Sequence, residues 1–272
     1  MHRPAIARLP PIADLAAARR QPRALRTTAH RQSPLPDGPW IMGQSWARLL
    51  FAHWRVPAEA LRRTVPESVP LDERDGSAWL AITPFVVRGL RARGLPPPPF
   101  AGRFAELNVR TYTTIDGRPG VYFLSLDAAS RLAVAGARRL YRLPYFHARM
   151  SVRETGGRIE YRSRRACADA PDAVLRAEYG PTGPAFEALP GTLEHFLTER
   201  YCLFTVDGRG RPRRTDIHHG PWRLHPASAT IHENTMAASH GLDLGGPPAL
   251  LHFAAPQDVV VWPPRRQRPI DG

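Results

Sequence analysis

The chain has 272 residues, of which 43% are hydrophobic. Its 38 basic residues, counted without histidine, exceed its 24 acidic residues and give it a net charge of +14. All of these basic residues are arginine, because the sequence contains no lysine. This excludes Schiff-base chemistry on a lysine, pyridoxal phosphate attachment, and the lysine-dependent sites of P-loop and kinase folds.

The positive charge is concentrated at the two ends of the chain. Residues 1–38 and 265–272 together carry half of the net charge. We expect residues 1–38 to be a poorly ordered tail with a short helix around residues 12–20, residues 39–264 to form a single domain, and residues 265–272 to be a basic tail. No nucleic-acid-binding motif accompanies the charge, so we expect no specific nucleic acid partner; the alternative is association through the arginine-rich tail.

The two cysteines, Cys167 and Cys202, are too few for a disulfide framework and fit a reducing compartment. Cys202 is a candidate nucleophile, but alternation along its strand makes it equally a core residue. We find no apolar run long enough to span a membrane and no signal sequence. We therefore expect a cytoplasmic protein without a membrane partner.

The patterns along the chain predict mainly β structure with a few short helices. Residues 51–65 predict a strand followed by a short helix, and residues 77–87 a strand that Pro84 places at an edge or a bulge. Two hairpins follow, at 104–128 around Asp116-Gly117 and at 147–164 around Gly156-Gly157. Helices are predicted at 128–143 and 193–200, the second capped by Thr192. Short strands at 201–206, 213–218, 229–234, 250–254 and 259–262 favour a closed or sandwiched antiparallel β domain.

The first hairpin carries a polar face on a strand whose partner is apolar on both faces. Alternation puts Glu106, Asn108, Arg110 and Tyr112 on one side, and a two-residue turn pairs the first three with Asp127, Ser125 and Phe123. Since a strand that is apolar on both faces is buried on both, we expect these polar groups to point into an enclosed polar cavity.

Two carboxylates, Glu106 and Asp127, would then share a site of low dielectric constant. One of them would have a raised pKa and could act as an acid or base near neutral pH. Arg110 would oppose the rise in pKa by pairing with Glu106, or would bind a substrate carboxylate through two parallel hydrogen bonds. Two structural alternatives stay open: Asp127 as a helix N-cap, and Glu106 with Arg110 as an ion pair that closes a barrel.

A series of motifs between residues 40 and 262 resembles the YqjF-like family of uncharacterised bacterial proteins. These motifs are FAHW (51–54), GSAWLAITPF (76–85), FAELNVRTY (104–112), GVYFLSLDA (120–128), ARRLYRLPY (137–145), ERYCLFT (199–205), HHGPW (218–222), LLHFA (250–254) and DVVVW (258–262).

That family is similar to the acetoacetate decarboxylase fold, which implies an antiparallel barrel or double sheet with a central polar cavity. The decarboxylases form a Schiff base on a buried lysine. In the matching stretch LPYFHA, Tyr145 and Phe146 stand where lysines would be, so the resemblance implies the fold and the cavity without that activity. Glu106 matches the cavity glutamate of the decarboxylases.

Six histidines, at 218, 219, 225, 232, 240 and 252, raise the possibility of a metal site. Their spacing fits neither HExxH nor a zinc knuckle, so we expect loop packing, no metal and no cofactor.

We therefore predict a pocket for a small anionic metabolite, with acid or base catalysis and no Schiff base. The candidate catalytic residues are Glu106, Tyr145 and Asp127, and the candidate binding residues are Asn108, Arg110, Ser125, Arg138 and His147. The alternative is a non-enzymatic ligand-binding or interaction protein of the same fold. The sequence leaves homo-oligomerisation open.

Overall fold

A computed structural model describes residues 12–99, 102–168 and 170–267. The described residues are mainly β, as predicted. Strands β1 to β16 are Met42–Ala47, Leu49–Val56, Glu73–Arg74, Ser77–Ala92, Phe104–Ile115, Arg118–Ala128, Tyr145–Thr155, Arg158–Arg165, Val174–Pro181, Phe186–Glu187, Cys202–Val206, Pro212–His218, Arg223–Asn234, Leu250–Ala254, Gln257–Val261 and Arg265–Arg266. Helices α1 to α4 are Ile12–Arg20, Ala58–Arg62, Arg131–Tyr141 and Leu193–Thr198, and two short 3-10 helices are Gln21–Arg26 and Ala238–His240. None of the helices in these ranges is long and apolar enough to cross a membrane.

The main strands are hydrogen-bonded in the order β1-β15-β12-β11-β6-β5-β4-β2-β14-β13-β9-β8-β7. Two further pairings, β1 with β4 and β6 with β7, close two rings of hydrogen-bonded strands. Strands β4, β5 and β6 belong to both rings. Strand β6 pairs in parallel with β7 and with β11, whereas the other pairings are antiparallel. The three central strands therefore have a buried surface on both sides, which explains why β6 is apolar on both faces.

Strand β4 changes its neighbour at the position that Pro84 occupies. Its residues 78–82 pair with β2 and its residues 86–92 pair with β1, while β5 runs along its other edge. Pro84 has no N–H to donate, so it fits between the two ladders without breaking either one. The edge or bulge predicted at this proline is thus a switch of partner strand.

The first hairpin turns at Asp116 and Gly117, whose φ angles of 51° and 66° fit a two-residue turn. Near the turn the predicted register is confirmed, with Arg110 opposite Phe123. A bulge then places one extra residue, Leu124, in β6, so that Val109 faces Ser125 and Glu106 faces Ala128. The predicted pairing of Glu106 with Asp127 is wrong, because one inserted residue reverses the side to which every later side chain points.

Helix α3 begins after Ser130, whose side chain accepts a hydrogen bond from the backbone N–H of Ala133. Ser130, not Asp127, is therefore the N-cap, and the alternative role considered for Asp127 is also wrong. Helix α4 is capped by Thr192 as predicted, through the N–H of His195.

Residues 12–38 pack against the sheet, although we expected them to be poorly ordered. The predicted short helix is α1, and the fully buried Gln21 that follows it donates to the carbonyl oxygen of Gly89 at 2.9 Å. Arg31 donates to the carbonyl oxygen of Ile217 at 3.0 Å. At the other end, β16 pairs with β12, so residues 265–267 also join the sheet. Residues 1–11 and 268–272 lie outside the described residues.

Candidate functional site

A pocket of about 310 Å³ lies among β1, β2, β4, β5, β6, β7, β11, β12 and β15, with α3 beside it. Each of these strands contributes lining residues because its inward face alternates with an outward one. The polar lining residues are Gln44, Thr83, Glu106, Asn108, Arg110, Tyr141, Tyr145, Thr198, Arg200, Thr215 and His219. Most of the remaining lining is apolar, so the pocket is less polar than we expected and its few polar groups set the orientation of any ligand.

Glu106 is the carboxyl group of this pocket, and it is only 5% exposed. Burial raises its pKa from an ordinary value of 4.5 to about 8, which outweighs the lowering by a hydrogen bond from Tyr145. The Tyr145 hydroxyl donates to Oε1 of Glu106 at 3.0 Å. From the other side of the sheet, the Tyr161 hydroxyl donates to the backbone oxygen of Glu106 at 2.7 Å. Hydrogen bonds thus hold both the carboxyl group and the backbone of Glu106 in place. Because its pKa is about 8, the carboxyl group is mainly protonated at neutral pH.

Arg110 is the second ionisable group that β5 presents to the pocket. Its guanidinium lies 5.1 Å from the ring centre of Phe51 and 5.9 Å from that of Tyr112. Within the described ranges it forms no salt bridge, so the ion pair considered between Glu106 and Arg110 is not formed. The positive charge of Arg110 therefore has aromatic neighbours and no carboxylate to neutralise it.

The other basic groups of the lining add no net charge. Arg200 donates to Asp72 at 2.7 Å, which neutralises its guanidinium. His219 donates from Nδ1 to the carbonyl oxygen of Gly220 at 2.7 Å, and burial lowers its pKa to about 3. With Glu106 protonated and His219 neutral, the pocket carries one uncompensated positive charge at neutral pH, that of Arg110.

Several buried polar atoms in the lining have no hydrogen-bond partner among the described residues. They include Oγ1 of Thr83, Oδ1 of Asn108 and Nε of Arg110. Buried polar atoms are normally satisfied, so these groups are available to a ligand or to water. All three lie on β4 and β5. Thr83 pairs with Asn108, and Asn108 lies midway between Glu106 and Arg110 on β5.

The side chains of Asp127 and Ser125 lie on the face of β6 that points away from the pocket, because the bulge at Leu124 reverses the alternation of the residues that follow it. Asp127 forms a two-pronged salt bridge with Arg165, with Nε to Oδ1 at 2.8 Å and Nη2 to Oδ2 at 2.9 Å, and both side chains are 1% exposed. The hydroxyl oxygen of Ser125 lies 3.0 Å from Nε2 of His240. The structure therefore brings neither residue to Glu106, and the raised pKa of Glu106 comes from burial instead of a second carboxylate.

Arg138 and His147 are the other two predicted residues that do not line the pocket. Arg138 is exposed on α3, and its Nε donates to the carbonyl oxygen of Tyr145. His147 is half-buried in β7, where burial and the charges of Arg131 and Arg149 lower its pKa. Of the eight predicted site residues, the structure groups four in the pocket: Glu106, Asn108, Arg110 and Tyr145.

Arg200 and His219 line the pocket but were missed as site residues. Both belong to motifs used for the resemblance, ERYCLFT and HHGPW, and that was the available signal. Cys202, in the first of these motifs, is a core residue: its thiol donates to the carbonyl oxygen of Pro119, and burial raises its pKa to about 12. In the part of the chain that the structure describes, no three His, Cys, Asp or Glu side chains are grouped as a metal site would need.

Residues 43–258 match the DUF2071 family, described as an uncharacterized conserved protein. This match spans most of the chain. The chain belongs to this family. It is 47% identical over 232 residues to the uncharacterized protein YqjF of Bacillus subtilis strain 168, covering 85% of this chain and 95% of YqjF.

Solved structures show the same fold at low sequence identity. Acetoacetate decarboxylase from Legionella pneumophila has a TM-score of 0.57 at 14% identity, covering 88% of this chain and 93% of its own. The enduracididine biosynthesis enzyme MppR, complexed with pyruvate, has a TM-score of 0.56 at 12% identity, covering 88% and 94%. The expected family and acetoacetate decarboxylase-like fold are confirmed.

Proposed function

We propose that this protein binds a small anionic metabolite in the pocket and that Arg110 orients the anion. The single observation that supports this is the uncompensated charge of Arg110 in the same pocket as a Glu106 that is protonated at neutral pH. An anionic ligand would neutralise that charge and fill a site from which bulk water is largely excluded. Its other polar atoms would meet the unpartnered groups of Asn108 and Thr83.

In the proposed reaction Glu106 moves a proton and no covalent intermediate forms on the chain. Because Tyr145 donates to Oε1 of Glu106, the acidic proton belongs on Oε2, from which it can pass to an oxygen or carbon atom of the ligand. With a pKa of about 8, the protonated form of Glu106 predominates at neutral pH and the carboxylate is a minor form, so Glu106 can both give a proton to the ligand and take one back. A lysine Schiff base is excluded by composition.

Pyruvate and larger 2-oxo acids are the first ligands to test, because MppR of the same fold is complexed with pyruvate. Thermal-shift titration of the full chain should give a higher Tm with at least one such acid. Arg110→Gln should weaken that ligand about 10- to 100-fold, since hydrogen bonds to charged groups contribute about 1.5–3 kcal/mol. Arg139→Gln is the matched control, because Arg139 is exposed and does not line the pocket. Equal responses of the two variants would contradict the proposal.

A non-enzymatic ligand-binding protein is the second candidate, and the absence of any lysine favours it. NMR in deuterated water separates the two candidates. Under the catalytic proposal the carboxylate form of Glu106 accepts a proton from the carbon atom next to the oxo group, exchanges it with the solvent and returns deuterium to that carbon, and Glu106→Gln stops this exchange without abolishing binding. Binding that depends on Arg110, with no exchange in the wild-type protein, would establish the second candidate.

The proposed location is the cytoplasm. Both cysteines are free, which agrees with a reducing compartment.

A further inference from the structure

Helix α3 exposes large apolar side chains at the edge of the pocket. Leu132 and Leu140 are 71% and 65% exposed, and both line the pocket together with Gly136. These three residues are spaced by four, so they form one stripe along the helix. Val134 and Tyr141 anchor α3 in the core, and Tyr141 also lines the pocket. No described residue covers the stripe, and we call it the α3 stripe.

The α3 stripe lies at the Glu106 end of the pocket. Glu106 pairs with Ala128, three residues before α3 begins, and it accepts a hydrogen bond from Tyr145, four residues after α3 ends. Arg110 lies four residues further along β5, so about 13 Å separates the Cα atoms of the two residues at roughly 3.3 Å per residue. The pocket therefore has an uncompensated cation at one end, an acid group part-way along and an apolar opening at the other end.

The opening has room at its centre. A Cβ atom placed on Gly136 would meet no other atom within 4 Å. Leu90 and Phe104, also pocket-lining residues, extend the apolar surface on the strands at the Glu106 end. An apolar chain that left the pocket here would be in contact with hydrocarbon on the helix side and on the strand side, and it would cover leucines that otherwise face water.

We propose that the ligand is an amphiphilic carboxylic acid with an unbranched apolar chain, an inference that rests on the proposed function. Its carboxylate binds Arg110, carbon atoms further along the chain lie beside Glu106, and the rest of the chain leaves the pocket along the α3 stripe. The short 2-oxo acids suggested by the fold would occupy only the inner part of this site.

Isothermal titration of the full chain with butanoate, hexanoate, octanoate and decanoate, each below its micelle concentration, tests this proposal. Beyond the length that reaches α3, affinity should rise about fourfold per methylene, the gain typical of a fully buried CH₂ group. Gly136→Leu should abolish this rise for the long acids and leave butanoate unchanged. The matched control, Ala135→Leu, adds the same side chain at a position outside the lining and should behave as wild type.

A second variant guards against misfolding of the first. Leu132→Gln replaces an exposed side chain, so it should fold normally and still reduce the gain per methylene. If affinity is flat from butanoate to decanoate, or if Gly136→Leu and Ala135→Leu behave alike, this inference is wrong, while binding that Arg110→Gln removes would still support the proposed function. If no acid of any length binds in an Arg110-dependent way, the proposed function fails as well.

A second copy of the chain is the other occupant that could cover the α3 stripe. Sedimentation at the concentrations used for titration detects it. A dimer that Gly136→Leu disrupts, with no dependence of affinity on chain length, would overturn the inference in favour of a dimer interface.

Discussion

The hydroxyl of Tyr145 donates a hydrogen bond of 3.0 Å to Glu106 across 39 residues of sequence. The contact depends on the parallel pairing of β6 with β7, in which Leu126 is the partner of Tyr145. Each group affects the ionisation of the other: burial and the Glu106 charge raise the pKa of Tyr145 well above its ordinary value, so Tyr145 remains a donor at neutral pH. This pair makes Glu106 a positioned acid instead of a mobile buried charge.

Glu106→Gln should change how stability depends on pH. In the unfolded chain Glu106 loses its proton near pH 4.5, whereas in the folded protein it keeps it up to about pH 8. Between these values the unfolded state has fewer bound protons, so wild-type stability falls as pH rises, by at most about 1.4 kcal/mol per pH unit. Urea unfolding at pH 5, 6, 7 and 8 should show the difference between wild type and Glu106→Gln shifting steadily in favour of the variant. A constant difference would mean that Glu106 is not buried in its protonated form.

Tyr145→Phe should raise the pKa of Glu106 further. The hydrogen bond from Tyr145 lowers that pKa, so its loss leaves desolvation unopposed. Infrared difference spectra, with the Glu106 carboxyl assigned by its loss in Glu106→Gln, report the titration directly. Tyr141→Phe provides the control, because the Tyr141 ring also lines the pocket but its hydroxyl makes no hydrogen bond to Glu106. A lowered or unchanged pKa in Tyr145→Phe would contradict the assigned hydrogen bond.

Asp127→Asn should destabilise the fold without altering the pocket. The change leaves the buried guanidinium of Arg165 without a counter-charge, at a cost of about 3–5 kcal/mol. Asp172→Asn removes the carboxylate of an exposed pair with Arg164 and should cost about 1 kcal/mol or less. Denaturant unfolding measures both. Loss of ligand response in folded Asp127→Asn would restore this residue to the candidate site.

Gln21→Ala tests whether residues 12–38 are docked as described. The buried amide donates to Gly89 and accepts from Nε of Arg91 at 2.9 Å, and its removal should cost about 1–3 kcal/mol. Gln32→Ala, at an exposed position, is the control and should be nearly neutral. If the two variants unfold at the same denaturant concentration, the N-terminal segment is not part of the cooperative fold.

Local patterns were sufficient for most of the secondary structure around the pocket, although β1, which contributes Met42, Gln44 and Trp46 to the lining, was not predicted. The Asp116-Gly117 turn, alternation along β5 and the absence of lysine together placed Glu106, Asn108 and Arg110 on one face and removed the Schiff-base mechanism. These conclusions hold because turn geometry and strand alternation depend only on residues close in sequence, and composition is independent of the fold.

The three-dimensional arrangement decided which groups meet and how they ionise. A single extra residue, Leu124, turned Asp127 and Ser125 away from Glu106, and no local pattern in β6 distinguishes it from a regular strand residue. The raised pKa of Glu106 arises from the surrounding strands, which exclude water from its carboxyl group. Register across a sheet and desolvation are properties of neighbours distant in the chain, so they emerge only once the strands have paired.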